Sequence, residues 1–190
     1  MKYIIFLFIF FDTVFSNENK QVGNLIMENV PDIPLDISEQ SRKYRNTRSA
    51  SCRSWLRDGS GIIIGTRFGE TSQLHMLKMP MGSRNQITFF DEPISGGYMS
   101  PDPSTNGFLF SRDNGGNEFY QIYFYNLDDG SATLLTDGES RNSLGPWSKN
   151  GDRFAFTSNM GNGVDMNVYV SDLDGNKMKV VSENGYWFPR

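Results

Sequence analysis

The chain has 190 residues, a formal net charge of -4 and 14% aromatic residues. This length supports one ordinary domain with a hydrophobic core and is too short for two large domains. A nucleic-acid partner is not expected, because such proteins carry an excess of Lys and Arg that neutralises phosphates. Short apolar runs between turn residues favour an all-β class.

The first residues, 1–16, have the features of a secretory signal peptide. Lys2 gives a positive start, residues 3–11 are an apolar run, and residues 14–16 surround a cleavage point before Asn17. A retained membrane anchor is the alternative, but this run is much shorter than the roughly 20 residues that a spanning helix needs. We therefore predict a periplasmic or extracellular protein with no membrane span after cleavage.

Residues 17–50 are polar and contain two prolines, Pro31 and Pro34. Asp36 followed by Glu39 resembles a capping box, which predicts one short helix over residues 37–44. We interpret this segment as an N-terminal extension that lies against the main domain, residues 51–190.

Three blocks after Ala50 share one spacing. WLRDGSGIIIGTR, MSPDPSTNGFLFSR and WSKNGDRFAFTSN begin at residues 55, 99 and 147. Two further registers agree: QLHMLKM, QIYFYNL and NVYVSDL begin at residues 73, 121 and 167, and QIT, LLT and VVS at residues 86, 134 and 180. Repeats of about 40 to 50 residues built from short strands are typical of β-propeller blades.

The sequence thus predicts an all-β fold, a partial β-propeller of about three four-stranded blades. The predicted blades cover about residues 51–92, 93–140 and 141–185, and residues 186–190 begin a further blade. Residues 119–127 alternate, and both resulting faces are largely apolar or aromatic. Such a strand needs packing partners on both sides, as in a blade that lies between two others.

The blocks resemble the propeller repeats of TolB-type periplasmic proteins and of the N-terminal domain of prolyl oligopeptidase family (S9) serine peptidases. Three segments are more similar to the S9 peptidases: TRFGETSQLHML from Thr66, QITFFDEP from Gln86 and FLFSRDNGGNEFYQIY from Phe108. The resemblance covers nearly all of residues 28–190. It implies a catalytic α/β-hydrolase domain with a Ser, Asp and His triad, to be sought beyond Arg190.

The residues present lack the chemistry of such a triad. The nearest match to a nucleophile turn is GESRN, in which Asn142 replaces the final glycine, and we interpret it as a loop. The single histidine, His75, is expected to be a strand residue rather than a general base. With Cys52 as the only cysteine, we expect no disulfide within the chain, no zinc cluster and a buried thiol.

No cofactor and no metal are expected. The segment DLDGN at residues 172–176 resembles part of a calcium loop, but it lacks the third ligand position and the distal glutamate. A hairpin turn explains it more simply.

The loops between the second and third strands of each block are the best binding candidates. They read RFGETS, RDNGGNE and NMGNGVD. Arg67 and Arg112 occupy matching positions, and Glu70 and Glu118 follow them, so these four residues are the substrate-facing candidates. The alternative is that each arginine pairs with a neighbouring acid and closes its own loop.

Our main hypothesis is the propeller part of an exported S9-type peptidase that shields the active site and selects short peptides. The alternatives are a non-catalytic, TolB-like protein-binding propeller, and a self-assembling protein in which copies of three blades close the ring. Under each of these three hypotheses, the open blade edges predict that the isolated chain self-associates.

Overall fold

The computed structural model describes residues 19–181 and 184–189, and the predicted signal peptide lies outside them. The described elements are β1 (Lys20–Val22), β2 (Leu25–Met27), α1 (Leu35–Arg45), β3 (Ala50–Trp55), β4 (Ile62–Thr66), β5 (Gln73–Leu77), β6 (Asn85–Gln86), β7 (Ser95–Met99), β8 (Gly107–Arg112), β9 (Gln121–Asn126), β10 (Ala132–Leu134), β11 (Asn142–Trp147), β12 (Phe154–Ser158), β13 (Asn167–Ser171) and β14 (Lys177–Lys179).

Twelve of these strands form three four-stranded antiparallel sheets in simple sequence order: β3 to β6, β7 to β10 and β11 to β14. We call them blades 1, 2 and 3. Each strand pairs with the next one along the chain, as in the blades of a propeller. The predicted fold, a partial β-propeller of three four-stranded blades, is confirmed.

The hydrophobic core lies between the blades. In β8, Phe108 and Phe110 pack with blade 1 residues, whereas Leu109 points to the other side and packs with Phe154 and Phe156 of blade 3. All five side chains are buried. The strand period of two therefore places alternate residues of one strand in two different interfaces, which holds blade 2 between its neighbours.

The first strand of each blade contains an irregularity at the same register. The pairing shifts between Cys52 and Ser54 in β3, between Gly96 and Tyr98 in β7, and between Leu144 and Trp147 in β11. The shift leaves Arg53 without a register partner in blade 1, Gly97 in blade 2, and both Gly145 and Pro146 in blade 3. A residue at such a β-bulge can point its side chain away from the regular pleat.

The helix α1 begins earlier than the sequence predicts, and the predicted capping box is wrong. Its N-cap is Pro34, and no side chain caps the first turn. Pro34 has a ψ angle of 139°, outside the helical region, so the helix begins at Leu35 and Asp36 falls inside its first turn instead of preceding it.

Cys52 is exposed, so the prediction of a buried thiol is wrong. Cys52 in β3 pairs with Ile64 in β4, so these two side chains lie on the same face of blade 1. The residue before Ile64, Ile63, lies in the interface with blade 2. Neighbouring residues of a strand point to opposite faces. Cys52 therefore lies on the face of blade 1 that points away from blade 2, where no described blade covers it.

Candidate functional site on the loop face

The loops that follow the second strand of each blade lie at one edge of the structure. They are residues 67–72, 113–120 and 159–166. Because strands alternate in direction within a blade, these loops emerge at the same edge as the connections between blades. We call this edge the loop face; its loops contain Arg67, Glu70 and Glu118, and Arg112 is the last residue of β8, directly before the second loop.

Arg112 forms an ion pair that sequence reasoning missed. Its Nη1 donates to Glu92 Oε2 at 2.9 Å, and both side chains are mostly buried. The guanidinium also lies 5.0 Å from the ring centres of Phe90 and Tyr123. The guanidinium therefore makes cation–π contacts with two aromatic rings while it pairs with a carboxylate. Glu92 belongs to the connection between blades 1 and 2, so the pair joins this connection to blade 2.

Glu118 does not pair with Arg112. Its backbone has a φ angle of +60°, in the left-handed region, and its N–H donates to Asp113 Oδ2 at 3.0 Å. Asp113 is buried and holds the loop in this conformation. The Glu118 side chain is exposed and forms no ion pair with a described residue.

Arg67 and Glu70 lie beside the helix. Arg67 Nη2 donates to the carbonyl oxygen of Arg45 at 2.6 Å, at the end of α1. Glu70 is exposed and lines a pocket of about 320 Å³ together with Arg67 and Arg42. Arg67 and Arg112 thus have different partners in spite of their matching positions, and neither forms an ion pair with the acid of its own loop.

Residues 45–49, which lead into blade 1, are bound by side chains of that blade. Arg84 Nη1 donates to the Arg48 carbonyl at 3.0 Å, and Thr66 Oγ1 donates to the Ser49 carbonyl at 2.7 Å. With the bond from Arg67, three side chains of blade 1 donate to carbonyl groups that lie between the end of α1, at Arg45, and Ser49, the residue before β3. The N-terminal extension is therefore attached to blade 1.

The N-terminal hairpin covers part of the loop face in blade 2. The Asn24 backbone N–H donates to the Gly115 carbonyl at 3.0 Å, and Asn24 Nδ2 donates to the Asn114 carbonyl at 2.9 Å. A Cβ at Gly23 would lie 2.7 Å from the Gly115 oxygen, so only glycine permits this approach. The sequence predicts neither this hairpin nor its contact.

His75 has no catalytic environment. It is buried in β5, and its Nδ1 lies 3.2 Å from the Gln73 carbonyl oxygen. Burial lowers the pKa of His75 below its usual value. Ser140 of the GESRN segment instead bonds Asp137 in a turn after β10, in another blade. Ser140 and His75 therefore do not form a pair of nucleophile and base.

Within the described ranges, no cluster of metal-ligating side chains and no helix of membrane-spanning length occur. Asp172 accepts two hydrogen bonds from Asn176, at 2.9 and 2.8 Å, so the DLDGN segment is a hairpin turn. Within residues 19–181 and 184–189, no group of three or more His, Cys, Asp or Glu side chains could hold a metal ion. The one helix of this part of the chain is too short and too polar to cross a bilayer.

Comparisons with known proteins show the fold. No family profile matches the chain, and no curated protein matches it by sequence. A putative TolB from Agrobacterium tumefaciens superposes with a TM-score of 0.57 and 23% identity, over 71% of this chain and 47% of that one.

Two enzyme structures are also similar. A prolyl endopeptidase has a TM-score of 0.53 and 13% identity, over 71% of this chain and 22% of its own. An oligogalacturonate lyase in complex with manganese has a TM-score of 0.52 and 14% identity, over 70% of this chain and 40% of its own. The chain thus spans less than half the length of each of these proteins. At these identities the likeness is one of fold: the chain has the fold of a β-propeller portion, similar to TolB and to prolyl endopeptidase.

Proposed function

We propose that this chain is the propeller portion of an exported serine peptidase of the prolyl oligopeptidase family. In this function the propeller shields the active site and admits short peptides, and a separate domain outside these residues hydrolyses them. The described residues would contribute a rigid wall with polar loops rather than a catalytic group.

The observation that carries the proposal is the Arg112 and Glu92 pair. Two of the segments that resemble S9 peptidases, from Gln86 and from Phe108, meet at this pair and at the flanking Phe90 and Tyr123 rings. The residues that carry the resemblance are therefore partners in three dimensions as well. They stiffen the loop face, and a substrate filter needs such rigidity because loops on a rigid scaffold keep their binding residues in place.

The fold likeness supports two functions to a similar degree. Prolyl endopeptidase supports the peptidase hypothesis, whereas TolB supports the alternative, a non-catalytic binding propeller. They differ in one prediction: only the peptidase has a nucleophilic serine in the same reading frame.

The test is to sequence the transcript beyond the codon for Arg190 and to purify the protein that the complete frame encodes. We expect a Gly-x-Ser-x-Gly turn with a later Asp and His, labelling by a fluorophosphonate, and cleavage of short peptides but not of a folded protein substrate. The matched control is the variant of that serine to alanine, which should lose both labelling and cleavage. A stop codon directly after Arg190, or a full-length protein that is neither labelled nor active, would overturn the proposal and favour the binding propeller.

Export has its own test. We propose cleavage after Ser16, so N-terminal sequencing of the mature protein should begin at Asn17. A mature chain that still begins at Met1 would contradict export by a cleaved signal.

A further inference from the structure

One of the three equivalent irregularities in the first strands of the blades carries a charged side chain. The register aligns Arg53 in β3 with Gly97 in β7 and Gly145 in β11. The same position thus holds glycine in blades 2 and 3 and arginine in blade 1. Bulges near functional sites often aim one side chain away from the regular pleat.

The neighbouring strand makes room for this arginine. The Arg53 guanidinium lies over Gly65, where a Cβ would be 2.7 Å from Nε and 3.0 Å from Nη2. In the other blades the residues equivalent to Gly65 are Ser111 and Thr157. Arginine and glycine therefore occur together in blade 1, and their shapes are complementary.

The Arg53 guanidinium has no protein partner among the described residues. Its Nε is buried and makes no hydrogen bond, and no described carboxylate lies within ion-pairing distance. Burial of a guanidinium N–H without an acceptor is costly, because that group loses hydration and gains no hydrogen bond in exchange. Residues that keep such a group are good candidates for binding an anion.

The surroundings of Arg53 suit an anion. A pocket of about 380 Å³ is lined by Arg53, Arg45 and Arg67, by hydroxyl side chains and by no carboxylate. The hydroxyls belong to Thr47, Ser49, Ser51, Thr66 and Ser72. The Arg45 guanidinium, like that of Arg53, makes no hydrogen bond to a described residue, and Arg67 uses one nitrogen for the Arg45 carbonyl. Three positive charges thus gather in a chain whose net charge is -4.

We propose that this pocket binds an oxyanion, with Arg53 as its principal ligand. The ligand group is a carboxylate or a phosphate or sulfate, since a guanidinium can donate two parallel hydrogen bonds to any of them. Arg45 and Arg67 add positive charge, and the hydroxyls of Thr47, Ser49 and Ser72, which donate to no described residue, supply further donors. This inference does not depend on the peptidase proposal, because it concerns a binding site in the propeller itself.

The test uses the protein purified from its complete reading frame and two probes, inorganic phosphate and acetate. Each is titrated by calorimetry at constant ionic strength in sodium chloride. We expect saturable binding of at least one probe at one site; stronger phosphate binding identifies a phosphate-type ligand, and stronger acetate binding a carboxylate. Absence of saturable binding of both probes overturns the proposal.

Two variants locate the site. Arg53→Gln should weaken binding by about tenfold or more, because it removes a charged hydrogen-bond donor. The matched control is Arg153→Gln on the exposed surface of blade 3, which should bind as the wild type does. Equal effects of the two variants, or wild-type binding by Arg53→Gln, would overturn the assignment.

A third variant, Gly65→Ala, keeps Arg53 but moves its guanidinium, because the new methyl group would occupy part of its present position. Its methyl group would displace the end of a flexible side chain rather than backbone, so the fold should persist. We expect an unchanged circular dichroism spectrum with binding weakened severalfold. Wild-type affinity in Gly65→Ala would contradict a site built around the present position of Arg53.

Discussion

Arg112 Nη1 lies 2.9 Å from Glu92 Oε2, and this pair ties the connection between blades 1 and 2 to the loop after β8. The two residues are 20 positions apart in sequence. Both side chains are mostly buried, and two aromatic rings lie 5.0 Å from the guanidinium. The pair therefore experiences less solvent screening than a surface salt bridge does.

Arg112→Gln should lower the free energy of unfolding by about 2 kcal/mol, since it leaves the Glu92 carboxylate without its charged partner. Urea denaturation measures this change. Arg153→Gln is the control: its ion pair with Asp152 is long, at 3.8 Å, and exposed, so we expect a change within about 0.5 kcal/mol. Similar losses in both variants would contradict a special role for the Arg112 pair.

His75 should make stability depend on pH. Burial lowers the pKa of His75 in the folded protein, whereas the unfolded chain has the ordinary value of 6.5. The unfolded state therefore binds a proton first as the pH falls below about 6.5, and stability decreases from there until the folded pKa is reached. The free energy of unfolding therefore keeps its full value with respect to His75 above about pH 7, where His75 is neutral in both states.

The measurement is the urea midpoint between pH 5 and pH 8 for the wild type and for His75→Gln. We expect the variant to lose less stability than the wild type on acidification across this window. Parallel pH profiles would show that His75 does not titrate as its burial requires.

Gly107 should be intolerant of any side chain. A Cβ at this position would lie 2.3 Å from the Tyr125 carbonyl oxygen, which is backbone and cannot move aside. Gly107→Ala should therefore destabilise the protein by about 3 kcal/mol. Gly69→Ala is the control, because its Cβ would meet nothing within 4 Å. Thermal melts that shift equally for both variants would be the contrary result.

The 190-residue chain by itself should self-associate. Trp55, Met178 and Val180 are 69%, 56% and 55% exposed, and they belong to the two outer blades or their edges. Uncovered apolar groups and open strand edges favour association between copies. Size-exclusion chromatography with light scattering should find oligomers or aggregates; a monomer with a sharp, reversible melt is the opposite outcome.

Local patterns were sufficient for the architecture. The three registers near one period predicted the blades, and the alternation in residues 119–127 predicted packing on both sides, as found for Tyr123 and Ile122 in two different core clusters. Turn segments such as DLDGN could also be interpreted correctly. These features depend on residues close in sequence, so spacing alone is informative.

The candidate site was only partly predictable. Spacing placed Arg67, Glu70, Arg112 and Glu118 on one loop face, but it could not identify Glu92 as the partner of Arg112. Such a pair depends on how a connection folds back across the next blade. Glu92 lies within the segment QITFFDEP, but its residue type and its place in the sequence do not predict that it pairs with Arg112.

The sequence by itself determined the repeat, the strand class and the turns, because hydrophobic alternation and glycine-rich turns act over a few residues. The tertiary structure alone decided which surfaces meet: the Asn24 hairpin on the blade 2 loop, the exposure of Cys52, and Arg53 over Gly65. Each of these depends on the packing of residues that are distant in sequence or on which faces neighbouring blades cover. Periodicity carries no information about such contacts.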